Sequence, residues 1–130
     1  MRSRLLWIIL PACVLASSFG SARAAVTEAD FQMRTAQDLV DLCSPAQNDP
    51  LATAAVNFCH GFAIGVYQAL SSEQAAMRRK LFCLPDPPPT RNQALADFVS
   101  WARTTPSALA ERPADAILHF LTQRYPCASR

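Results

Sequence analysis

Phe58-Cys59-His60-Gly61-Phe62-Ala63-Ile64-Gly65-Val66-Tyr67, FCHGFAIGVY in one-letter code, is the stretch whose reading decides the fold. It sets a cysteine beside a histidine inside an apolar run with two glycines four residues apart. On a helix, neighbouring residues point about 100° apart, so Cys59 and His60 diverge and do not face each other as a nucleophile and its base must. Helical spacing sorts the segment into two apolar faces. Val56, Cys59, Ala63, Val66, Tyr67 and Leu70 form one, and Phe58, Phe62, Gly65 and Ala69 form the other. A helix apolar on two sides is expected at the centre of its bundle. Gly61 and Gly65 would each cost roughly 1 kcal/mol relative to alanine. Their shared strip is therefore expected to receive another backbone at close range, within the bundle or from a second subunit.

Outward from this helix the same period recurs, and no stretch alternates apolar and polar residues for long. The expected class is all-α, a small disulfide-stapled bundle of about four to five helices. Thr35 with Asp38 opens a short helix through Leu39, Leu42 and Cys43, and Asp49-Pro50 starts the long one, Leu51 to about Leu70. Ser71 with Gln74 has the pattern of a capping box for a further short helix through Met77 and Leu81. Pro87-Pro88-Pro89 must be an extended connector. Thr90 with Gln93 opens a helix that buries Leu95, Phe98, Val99 and Ala102, with Trp101 near its edge. Pro113 stands where a first-turn proline belongs, ahead of Ile117, Phe120 and Leu121, and Tyr125-Pro126-Cys127 closes the last helix.

The amino terminus places the chain in a compartment. Arg2 and Arg4 precede an apolar run from Leu5 to Leu15, and Ala22-Arg23-Ala24 is a small-x-small cleavage signature. Residues 1–24 are expected to be a cleaved signal peptide, with residues 25–130 forming one domain. A lipoprotein acylated at Cys13 is the competing reading. The apolar run falls short of the roughly 20 residues needed to span a bilayer, so no membrane association is expected after cleavage. Cleavage removes Arg2, Arg4 and Arg23, leaving nine of the twelve Lys and Arg against ten Asp and Glu. Such a balanced surface argues against a nucleic-acid partner.

Export explains the cysteines. Cys43, Cys59, Cys83 and Cys127 remain after cleavage, an even set that in an oxidising compartment implies two disulfides in one of three connectivities. Their spacings lack the CxxC pairs of a zinc site. His60 and His119 stand far apart, Asp38 and Asp41 suit a solvated face with one capping duty, and no phosphate loop, nucleophile elbow or metalloprotease motif occurs. Neither an enzyme nor a cofactor is expected. Two features suit a partner instead: the basic cluster Arg78-Arg79-Lys80, and the stiff Pro87-Pro88-Pro89 loop, which loses little entropy when held.

Taken in order, Leu42-Cys43-Ser44, Phe58-Cys59-x-Gly61-Phe62-x-x-Gly65, Phe82-Cys83-x-Pro85, Gln93 with Phe98 and Trp101, and Tyr125-Pro126-Cys127 resemble the Rap/Tai family of immunity proteins. The resemblance spans about residues 35 to 127. It implies a small helical periplasmic protein, often dimeric, that occludes the cleft of a secreted cell-wall amidase delivered by type VI secretion and performs no catalysis. The triple proline and the alanine-rich final helices depart from that pattern. The cysteine ahead of the long helix also resembles acid-stress chaperones of the HdeA type, but those need clustered carboxylates near a dimer contact, and the ten here are spread out. If the chain rises along the long helix and returns after Leu70, Cys83 comes back to the level of Cys43. The expected disulfides are then Cys43 to Cys83 and Cys59 to Cys127.

Overall fold

Local signals set most of the helix starts. In the computed structural model, which describes residues 25–128, α1 spans Ala36–Cys43. The Asp38 carboxylate accepts from the backbone N–H groups of Arg34 and Thr35 at 2.8 and 3.1 Å, which satisfies donors that a helix start leaves unpaired. A single 3₁₀ turn, Asp30–Gln32, precedes it. Asp49 then works in two directions. One carboxylate oxygen accepts from Leu51 N–H at 2.8 Å at the head of α2, and the other accepts from Val26 N–H at 2.7 Å, which ties the amino-terminal segment to the bundle. The expected leader at residues 1–24, including Cys13, lies outside the described residues.

The long helix, α2, runs Ala52–Ala75 and so extends five residues past Leu70. The separate helix expected from Ser71 and Gln74 does not form. Nothing in Ser71-Ser72-Glu73-Gln74-Ala75 interrupts a helix already nucleated, and adding residues to it is cheap compared with starting another. The hydroxyl of Ser71 is buried without a hydrogen-bond partner. The side chain of Gln74 instead accepts from the N–H groups of Leu81 and Phe82 at 3.1 and 3.3 Å, turning the chain across the carboxyl end of α2.

The second half follows expectation closely. Thr90 and Gln93 exchange capping bonds at 2.9 and 3.3 Å at the start of α3, Arg91–Thr104. A one-turn helix, α4 (Pro106–Leu109), leads to α5, Pro113–Arg124, with its proline in the first turn. All described regular structure is helical, so the chain is an all-α bundle stapled by two disulfides. No helix among the described residues is long and apolar enough to cross a membrane.

The centre of the bundle is α1, not α2 as expected. The short helix packs against the 3₁₀ turn and all four other helices, and its Ala36, Leu39 and Leu42 are wholly buried. The main contacts of α2 are with α1 and α5. Its first apolar face joins the core through Cys59, Ala63, Val66, Tyr67 and Leu70. Of its second face, Phe62 is half-buried, while Gly65 and Ala69 are exposed and Phe58 is 39 % exposed against the ring of Phe31. On the α3–α5 side the core is aromatic: Phe98 meets Phe120 edge-on at 5.7 Å, and Phe120 meets Tyr125 at 6.0 Å.

The disulfides correct the expected pairing. Cys43 is joined to Cys59, and Cys83 to Cys127. The reason is the length of α2. Cys59 lies early in it, beside the end of α1 across the connection 44–51, so their Cα atoms stand 5.2 Å apart. At a rise of about 1.5 Å per residue, the end of α2 is about 24 Å further on. The chain turns back only part of the way, with Phe82 packed 6.1 Å from the Tyr67 ring; Cys83 N–H then bonds to Tyr125 O at 2.8 Å, and that pairing of extended segments brings Cys83 to Cys127.

Candidate functional site

The loop between α2 and α3, residues 76–90, carries both features singled out for a partner. Because the helix expected through Met77 and Leu81 is absent, Arg78, Arg79 and Lys80 sit on exposed loop backbone and not on a helix face. Three devices hold the loop in place. Gln74 accepts from Leu81 and Phe82 as described. The Phe82 ring is 2 % exposed and packs 6.1 Å from the Tyr67 ring. One residue later Cys83 is cross-linked to Cys127. The prolines complete the loop, with Pro87 and Pro88 exposed and Pro89 half-buried.

Both features border the same disulfide. On one side of Cys83 and Pro126 lies a shallow groove walled by Met77, Arg78, Arg79, Lys80 and Leu81. On the other lies a second groove formed with Pro87, Pro88, Pro89, Asp97 and Arg124. Arg124 reaches Asp97 at 3.4 Å and lies over the Tyr125 ring, 5.6 Å from its centroid. Burial raises the Tyr125 phenol above its ordinary pKa; Asp97 pushes the same way and Arg124 opposes it.

Met77 and Leu81, expected on a short helix, border this site on loop backbone instead. Among the described residues they are two of the three large hydrophobics most exposed, 44 % and 38 %, and they flank the basic cluster directly. An apolar pair bracketing three cations is a surface that can bury hydrophobic area while meeting acidic groups. The available signal was Gln74, whose amide can cap a helix or hold a loop.

The glycine strip is a correction. A Cβ built on Gly61 or Gly65 would meet nothing within 4 Å, so neither position is closely packed inside the chain. Because α2 lies at the side of the bundle, that strip faces outward together with Phe58.

The remaining candidates are structural. Cys59 is 1 % exposed and oxidised, which removes it as a nucleophile beside His60. His119 is held by Glu111 at 3.1 Å on Nδ1 and by the Gln123 amide at 2.8 Å on Nε2, while Gln123 accepts from the Trp101 indole at 2.9 Å. Among the described residues no group of three or more His, Cys, Asp or Glu could hold a metal ion.

Comparison with known proteins places this arrangement. No curated protein and no solved structure matches the chain. A family model described as Rap1a immunity proteins matches residues 35–127, from the cap of α1 to the last cysteine. That match takes in α1 to α5 and both disulfides, and the chain belongs to the Rap1a immunity protein family.

Proposed function

We propose that this protein binds a peptidoglycan amidase toxin delivered by type VI secretion and blocks its cleft, in the periplasm and without chemistry of its own. An immunity role follows from family membership. The observation that favours residues 78–89 as the contact is the loop's construction: exposed cations and apolar side chains on a backbone pinned by Phe82 and by the Cys83–Cys127 bond. A surface held rigid before binding loses little entropy on association, and a few preorganised anchors suffice for tight binding. The two disulfides suit an oxidising compartment, to which a cleaved leader at residues 1–24 would deliver the domain at 25–130. The test is to purify the mature chain with a peptidoglycan amidase encoded in the adjacent reading frame and measure binding and hydrolysis of peptidoglycan fragments. Nanomolar binding with loss of hydrolysis supports the assignment; unaffected hydrolysis in excess protein overturns it.

The outward face of α2 supports a homodimer. Phe58, Gly61, Gly65 and Ala69 form an uncharged strip. Its glycines have no packing role within the chain, whereas a second copy of α2 could approach there closely. Light scattering of the purified protein should give twice the monomer mass, and Phe58→Glu should halve it. A monomer at high micromolar concentration would refute this.

A further inference from the structure

We propose that the apolar cavity between α2, α3 and α5 is a binding site for a free medium-chain fatty acid, with Arg91 holding the carboxylate. The cavity has a volume of about 280 Å³ and is partly open to solvent. Ile64, Leu84, Pro89, Leu95, Phe98 and Leu121 are among the residues that surround it, and of all its lining residues only Arg91 carries a charge. Arg91 is exposed and makes no ion pair among the described residues. It is also the first residue of α3, so its charge adds to the positive end of the helix dipole.

These features select the ligand. A water's share of liquid volume is about 30 Å³, so the space suits roughly nine or ten non-hydrogen atoms, and water itself would find few partners on such a lining. A peptide segment would bring backbone N–H and C=O groups that apolar walls leave unsatisfied. A cationic amphiphile would meet Arg91 with like charge, and a neutral one would leave that charge unused. An unbranched acid of about eight carbons puts its tail on the apolar walls and its one anion at the one cation. The site shares Leu84, Pro88 and Pro89 with the loop proposed to meet the toxin but involves none of the exposed cations at 78–80, so octanoate binding and toxin binding are read by separate substitutions.

Octanoate is the probe, and ¹³C-methyl NMR of the full mature protein is the measurement. Saturable shifts of the Ile64, Leu95 and Leu121 methyls are expected, with a Kd between about 10 µM and 1 mM. Butanoate should bind more than about tenfold more weakly, since each methylene adds apolar burial. Arg91→Gln should weaken octanoate about three- to tenfold and leave 1-octanol unchanged. Ala94→Phe, which fills the cavity from α3, should abolish the shifts while circular dichroism and both disulfides persist. No saturation up to the solubility limit overturns the proposal. So do shifts spread over the Phe58 face or the Met77 groove, or equal binding of octanol and octanoate with no dependence on Arg91.

Discussion

The two disulfides cross-link the same chain in opposite surroundings, and the contrast separates scaffold from site. Cys43–Cys59 joins α1 to α2 inside the core, with Cys59 almost wholly buried. Cys83–Cys127 joins two extended segments at the surface, with Cys83 exposed. With sequence separations of 16 and 44 residues, chain entropy assigns them about 3 and about 4 kcal/mol. Entropy therefore favours the surface bond. Surroundings are expected to reverse the ranking, because packed helices cannot relax when their bond is lost, whereas a surface loop can disorder and recover part of the entropy. The buried bond holds the fold; the exposed one holds the shape of the loop proposed to meet the toxin.

The largest expected effect comes from the buried bond. Cys43→Ala with Cys59→Ala should cost about 3 to 5 kcal/mol, the lost constraint plus poorer packing at Cys59. Thermal unfolding reads this as a drop exceeding about 12 °C. The matched pair Cys83→Ala with Cys127→Ala should lower the midpoint less. A larger drop for the surface pair would break the comparison.

Phe82→Ala is next. It removes the buried anchor of the loop from the other side, and a loss of about 3 kcal/mol is expected. Amide hydrogen exchange should show faster exchange across 78–89 than in α1. Uniform acceleration would mean that the loop belongs to the core after all.

A smaller effect of opposite sign is expected at Gly65. With open space around its Cβ within the chain, Gly65→Ala added to the Phe58→Glu variant, which keeps the protein monomeric, should stabilise it by up to about 1 kcal/mol through helix propensity alone, read as a higher urea midpoint at unchanged slope. Destabilisation would restore the close-packing reading of this strip.

The smallest effect concerns Asp41, on the core helix α1. Burial raises its carboxyl above the ordinary 3.8, more than its hydrogen bond from Gln37 lowers it. A raised carboxyl pKa means that the folded state holds the proton more tightly. That contribution is fully present below pH 3.8 and is lost as pH rises through the folded value. Asp41→Asn should therefore raise the melting temperature at pH 7 by about 2 °C or less and leave it unchanged near pH 3. An increase that persists at pH 3 would assign the effect to something other than ionisation.

Legibility in the sequence followed the range of each interaction. The caps at Thr35–Asp38 and Thr90–Gln93 are complete within four residues, so they were readable, as were the buried faces of α3 and α5. The Ser71–Gln74 pattern is equally local but admits two uses, and the choice depended on Leu81 and Phe82, whose N–H groups needed an acceptor. That one ambiguity propagated. It shortened α2, hid the exposure of Met77 and Leu81, and sent Cys83 toward the wrong partner. For the glycines, periodicity located the strip on α2 but carried no information on what lies opposite it. The central place of α1 was hidden for a similar reason, since eight residues give too little pattern to show contact with every other helix.

The central claim is that the tethered loop meets the toxin, and charge reversal tests it most directly. Arg78→Glu, Arg79→Glu and Lys80→Glu combined leave Phe82 and both disulfides untouched, so the melting temperature should stay within about 2 °C of the parent. Titrated against the amidase by calorimetry, the variant should bind at least about 30-fold more weakly, the loss expected when a contact of about 2 kcal/mol is removed. Unchanged affinity at unchanged stability would contradict the account and move the contact elsewhere on the bundle.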